Sequence, residues 1–185
     1  MTLEDLLARV APALERAEMP YMLTGSVASS AHGAPRSTRD LDIVIAPTRA
    51  QVQALIKQFP STRYYADEEQ ALDALAHRSQ FNVIDFTTGW KVDFIIAEDS
   101  DYGRTALERR KLIQIAGSEV FVAAPEDVII AKLRWSKRSA SNRQLQDVAG
   151  IVSTQAYNLD ISYVENWVRE LHLEPQWQAV REASC

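Results

Sequence analysis

Cysteine is nearly missing from this chain. Of 185 residues only Cys185 carries a thiol, so no intrachain disulfide and no multi-cysteine zinc site can form. Histidine is almost as scarce, and His32, His77 and His172 lie too far apart for a recognised His-based metal spacing. No apolar run approaches membrane-spanning length, and the opening Met-Thr-Leu-Glu-Asp is acidic where a secretory signal would be basic. The expectation is a soluble protein of the reducing cytoplasm that makes no use of a membrane. Positive charge is not in excess either: 20 basic against 25 acidic residues leave a net charge of −5. That balance argues against a broad, non-specific nucleic-acid surface, which needs a basic footprint. Internal repeats and low-complexity segments are also lacking.

What is present is ordinary globular material. Hydrophobic residues make up 46% and charged residues 24%, enough apolar mass for a core and too much for extended disorder. Helical spacing of Leu3, Leu6, Leu7, Val10 and Leu14 predicts a helix over 3–18, opened by a Thr2–Asp5 capping box and stopped by Pro20. A short strand over 21–24 runs into Gly25-Ser26, and small residues follow to a helix end at His32-Gly33. Strands are expected over 41–45, 81–86, 91–96, 112–115 and 120–122, the last four forming two hairpins around Thr87–Trp90 and Ala116–Ser118. Helices are expected near 48–58, 67–78 and 101–110, then throughout the remainder from Pro125. Strands gather before residue 123 and helices after it. The fold class is therefore α+β, a sheet-bearing part over 1–123 and a helical part over 124–185 that packs on it as one unit.

Ionisable residues inside strands are the first anomaly. In Asp40-Leu41-Asp42-Ile43-Val44-Ile45 the two aspartates stand two apart, so both project from one face while Leu41, Ile43 and Ile45 take the other. Carboxylates held this close repel each other unless a cation lies between them, and hard oxygen donors favour Mg2+ or Mn2+. The plain alternative is a strand end with both side chains in solvent. Lys91-Val92-Asp93-Phe94-Ile95-Ile96 adds a third carboxylate in mid-strand, which is costly to bury without a partner. If this strand lies beside the first, Asp40, Asp42 and Asp93 converge in a manner suited to a two-metal phosphoryl-transfer site. Asp85 competes for the third place. Asp93 is preferred because Lys91 shares its face and supplies compensating charge.

Gly25-Ser26 closes a strand and opens a helix, a turn able to present backbone N–H groups and a hydroxyl to a phosphate. Thirteen residues separate Ser26 from Asp40, and that second segment reads Arg36-Ser37-Thr38-Arg39-Asp40-Leu41-Asp42. With the strand, the Gly-Ser turn, the Asp-x-Asp strand and a later strand acid, the sequence resembles the nucleotidyltransferase superfamily typified by DNA polymerase beta. The Arg-x-Thr-x-Asp is similar to the branch of AbiEii-type toxins and related small nucleotidyltransferases. A weaker likeness continues over 125–149, where one helix carries Lys132 and the next Arg143 and Asp147.

The resemblance implies a mixed sheet with flanking helices, a catalytic core over 1–123, and transfer of a nucleoside monophosphate from an NTP with release of pyrophosphate. It implies that Gly25 and Ser26 hold the nucleotide phosphates and that Asp40 and Asp42 ligate Mg2+ or Mn2+. Asp93 completes the metal site and helps deprotonate the acceptor hydroxyl. Arg36 and Arg39 stand where a basic residue reaches the triphosphate; the alternative for each is a solvated loop charge. Lys132 falls inside an apolar stripe with Val128, Ile129, Leu133 and Trp135, and needs an anion there, either Asp147 or a phosphate. The toxin-like branch suggests an antitoxin protein as a partner. Five basic residues and no acidic one between 131 and 144 point to an RNA acceptor, tRNA above all. Rival readings are a metal-dependent phosphohydrolase and a non-catalytic relative that binds a nucleotide or a partner. Trp167 and Trp177 read as core, and His32 as a helix-end residue.

Overall fold

The computed structural model describes residues 2–35, 37–139 and 141–183. The chain opens with α1 (Leu3–Arg16), whose capping box joins Thr2 and Asp5 in both directions. It ends two residues before the expected stop, because Glu18 turns left-handed at φ 49° ahead of Pro20. Then follow β1 (Tyr21–Leu23), α2 (Gly25–Ala31), β2 (Asp40–Ile45), α3 (Arg49–Ile56), β3 (Tyr64–Tyr65) and α4 (Glu68–His77). The hairpin β4 (Gln80–Asp85) and β5 (Lys91–Ile96) leads through α5 (Asp101–Glu108) to a second hairpin, β6 (Lys111–Ile115) and β7 (Ser118–Val122). Four helices close the chain: α6 (Pro125–Ser139), α7 (Asn142–Gln155), α8 (Ile161–Glu170) and α9 (Glu174–Ala183). The two-residue β3 is an addition to the expected strands.

Among the described residues the strands form one seven-stranded sheet in the order β3-β4-β5-β2-β1-β7-β6. It is mixed: β2 runs parallel to β5 and β1 parallel to β7, while the other neighbours are antiparallel. Period-two alternation gives the sheet two unlike faces. Leu41, Ile43 and Ile45 stack beside Val92, Phe94 and Ile96 and are buried on the side of α1 and the α3–α4 pair. Phe94 completes this face by stacking on Phe81, their ring centroids 5.1 Å apart. The opposite face carries Asp40, Asp42, Lys91 and Asp93. There α2 packs on β2 and against α6, and a cleft opens over Val44 and Ile95 farther along β2 and β5. The helical remainder joins the same apolar cluster through Val128, Ile129, Leu133, Val148, Ile151 and Val164. Trp177 and Val180 are buried in it and Trp167 packs against it, as the helical spacing predicted. Among the described residues, no helix is long and apolar enough to cross a membrane.

Candidate active site

The parallel register of β2 and β5 sets Asp40 opposite Lys91 and Asp42 opposite Asp93. Paired strands lie about 4.8 Å apart, so four charged side chains crowd one patch of one face. The Lys91 ammonium sits 2.7 Å from Asp93 Oδ2 and 3.7 Å from Asp40 Oδ1, spanning the two strands. Its pKa rises above the ordinary lysine value, first through the hydrogen bond to Asp93 and then through the other carboxylates. Asp42 lies beyond ion-pair reach of Lys91, and the Gly25–Ser26 turn lies against it. Burial raises the Asp42 carboxyl above the usual range, and the neighbouring Asp93 and Asp40 charges add to the rise.

The Gly25–Ser26 turn is fitted against that carboxylate. Gly25 adopts φ +62°, and a Cβ there would come 1.9 Å from Asp42 Oδ2, so only glycine allows this approach. Thr24 N–H donates to the Asp42 carbonyl at 2.9 Å, tying the start of α2 to the middle of β2. The hydroxyls of Ser29 and Ser30 turn back onto the carbonyls of Gly25 and Ser26. Gly25, Ser26, Asp40, Asp42 and Asp93 thus come together at one place. Asp85 does not. It lies on the other face of the sheet, buried between Arg63 (3.0 Å) and Arg9 (3.4 Å). Burial pushes the Asp85 carboxyl up, but Arg63, the Thr87 N–H and Arg9 outweigh it and hold the group below the ordinary range.

The other expected site residues are dispersed. Arg36 lies outside the described residues. Arg39 is exposed at the entry to β2, and its carbonyl accepts the Lys91 N–H at 3.1 Å. Lys132 is 4% exposed, with its ammonium 2.6 Å from Asp147 and 3.1 Å from Gln144, so α7 supplies the anion that its apolar surroundings demand. Arg134 pairs with Glu98 and covers the Tyr102 ring, and Lys137 donates to the His172 carbonyl. Arg138 and Arg143 are exposed. The basic run is therefore no continuous cationic face. His32 caps α2, buried, its Nε2 2.8 Å from the Ala123 carbonyl oxygen.

Sequence reasoning missed what lies beside the carboxylates. Asn82 of β4 stands opposite Asp93 on the same face. Past Asp42 the face continues into a cavity of about 210 Å3, floored by Met22, Val44, Ile95 and Gln80 and walled by Tyr102 and Trp135. Trp135, expected in the core stripe of α6, is instead 52% exposed on the cavity rim. Strand parity would have found Gln80 and Asn82 once β4 was paired with β5.

Among the described residues, no three His, Cys, Asp or Glu side chains stand ready-assembled around a cation. The donors still fit a hard divalent cation: the acceptors on this patch are carboxylate oxygens, and Asp42 is a carboxylate that burial and like charge leave short of a counter-charge.

No protein-family model matches the chain, and no curated protein matches it in sequence. Solved structures do match. ANT(2'')-Ia in complex with adenylyl-2''-tobramycin is similar at a TM-score of 0.61 and 13% identity, over 96% of this chain and 99% of that one. The lincomycin-bound lincosamide antibiotic adenylyltransferase LnuA gives 0.57 and 14%, over 83% and 98%. An antigenic nucleotidyltransferase-like protein from Paracoccidioides brasiliensis gives 0.56 and 16%, over 98% and 92%. The fold is the mixed-sheet fold of these nucleotidyltransferases.

Proposed function

We propose that the chain is a nucleotidyltransferase that moves a nucleoside monophosphate from an NTP to a hydroxyl acceptor. The observation that carries this reading is the meeting of Asp40, Asp42 and Asp93 on one sheet face against the Gly25–Ser26 turn. One ammonium, Lys91, answers three acids placed this way, and the raised Asp42 carboxyl opposes folding. They suit a reaction in which phosphate charge must be met.

In this reading Gly25 and Ser26 lie against the NTP phosphates, with Arg36 and Arg39 as candidate cations for them, while Lys132 is taken up by Asp147. Asp40, Asp42 and Asp93 hold Mg2+ or Mn2+. The bound cation supplies positive charge against the reacting phosphate oxygens. The acceptor oxygen forms a bond to the α-phosphorus, the bond from that phosphorus to the bridging oxygen breaks, and pyrophosphate leaves. Asp93 takes the hydroxyl proton.

For the acceptor we favour a small hydroxylated molecule. The cavity beside Asp42 offers an apolar floor and the half-exposed Trp135 ring, and the basic run is split among internal partners. The structurally similar proteins bound to adenylyl-2''-tobramycin and to lincomycin support that class. An RNA acceptor such as tRNA is left with the exposed Arg138 and Arg143 for its phosphates.

The test offers labelled NTPs and Mg2+ together with total RNA or with a panel of aminoglycosides and lincosamides, at low and physiological salt. Pyrophosphate and a labelled small molecule are expected, with weak salt dependence. Labelled RNA, lost at a log–log slope of about −0.7 to −0.9 per phosphate contact, would move the acceptor to RNA. Orthophosphate alone would mean a phosphohydrolase, and no turnover of any NTP would sink the transferase reading.

A further inference from the structure

The three carboxylates are not equivalent, and Lys91 makes the difference. Its ammonium is hydrogen-bonded to Asp93 at 2.7 Å and lies 3.7 Å from Asp40, so it stands where a cation bridging β2 and β5 would stand. Register holds it there, because Lys91 faces Asp40 across the strand pair and shares its own strand face with Asp93. Asp42 is the carboxylate that this ammonium does not reach. It is also the one that the Gly25–Ser26 turn closes in upon, two residues before Val44 of the cavity floor.

Formal charge follows the same division. Three carboxylates and one ammonium leave two negative charges, which a single divalent cation balances. A second divalent ion against Asp93 would meet the ammonium at a few ångströms, and like charges at that distance repel strongly in a half-buried site. We infer that Lys91 is a built-in second cation: the nucleotide-free site takes one divalent ion, on the Asp42 side, and Lys91 fills the place of another at Asp93. This rests on the reading of the three acids as a cation site, and it replaces the expected pair of metals by one metal and one ammonium.

The test counts ions without any turnover. Nucleotide-free protein is titrated with Mn2+, and the bound ion is read from the loss of the free-ion paramagnetic resonance signal. Wild type is expected to take up one Mn2+ per chain. Lys91→Met should take up two, or bind the first at least about tenfold more tightly, since a unit positive charge has left the site. Lys91→Arg, which keeps that charge, should behave as wild type. Thermal melting adds a second readout: without metal Lys91→Met melts below wild type, and Mn2+ raises it more.

Two Mn2+ on wild type would overturn the inference, and so would none on either protein. A Lys91→Met that matches wild type in count and affinity would overturn it as well. If Lys91→Met fails to fold, the wild-type count alone decides. NTP turnover is scored separately: transfer with two ions per wild-type chain sinks only this inference. One ion rising to two on Lys91→Met, with no transfer from any NTP, sinks only the transferase reading.

Discussion

Replacing Gly25 by alanine tests whether the turn is held against Asp42 as tightly as the structure has it. Two costs add. At φ +62° an L-residue sits in the left-handed region, which costs roughly 1–2 kcal/mol. The new Cβ would also lie 1.9 Å from Asp42 Oδ2, 2.6 Å from its Cγ and 2.9 Å from its Cβ. Asp42 is a short side chain on a central strand, so relief needs backbone movement, and overpacking of this kind costs about 1–3 kcal/mol. The sum, about 2–5 kcal/mol, is a large share of the roughly 5–15 kcal/mol that holds a domain folded. Urea unfolding followed by circular dichroism measures it. A double-mutant cycle with Asp42→Ala separates the parts, because that change removes the two nearest atoms and leaves the backbone cost. A coupling of about 1–3 kcal/mol is expected. If Gly25→Ala costs under about 0.5 kcal/mol, or if the two changes simply add, Asp42 is not packed against the turn and the geometry of the site is wrong.

Asp42 has a folded pKa raised by burial and by Asp93 and Asp40, so its favourable contribution belongs to low pH and is lost as pH rises through that value. Asp42→Asn should therefore melt higher than wild type at neutral pH, the gap closing in acid, while transfer activity is abolished; a pH-independent gap would contradict the sign. Asp85 is the mirror case: held below the ordinary range by Arg63 and Arg9, it stabilises above the unfolded pKa and loses that effect as pH falls. Asp85→Asn should thus destabilise at neutral pH and make no difference in acid, as thermal melts across pH would show. Arg109 lies 3.0 Å from Glu126 and 3.3 Å from Asp127, both buried, and its guanidinium stacks on the Tyr163 ring at 3.9 Å. Arg109→Met should cost about 3–5 kcal/mol in urea unfolding, and a loss under about 1 kcal/mol would show that the two acids find other partners.

Much of the site could be read from parity alone. The alternation in Asp40-Leu41-Asp42-Ile43-Val44-Ile45 assigns each residue to a face without any knowledge of its neighbours. The mid-strand position of Asp93 needs only the rule that a buried charge requires a partner. Which strand supplies that partner is another matter. Between β2 and β5 the chain makes α3, β3, α4 and β4, and no local pattern states that it returns to pair in parallel. The basic run failed for a geometric reason. At about 100° per residue a helix turns Lys132 away from Arg134, Lys137 and Arg138, so charges close in sequence face different neighbours. Trp135 was misjudged similarly: an apolar stripe broad enough to include it does not say where the core ends and a cavity begins.

The cleft itself follows from the same alternation. A face bearing Asp40, Asp42 and Asp93 is costly to cover, because the carboxylates outnumber the one ammonium of Lys91 beside them, although Asp93, paired with it, is buried. The small residues of α2 pack against β2 and α6, with Gly25 fitted against Asp42. Farther along the β2–β5 face, past Val44 and Ile95, the walls are Tyr102 of α5 and Trp135 of α6, with a cavity between them and the sheet. Asp42 thus acts twice, opposing its own burial and serving the proposed site. That is why the same substitution, Asp42→Asn, is expected to raise stability and end transfer, a combination that a residue serving only the fold would not produce.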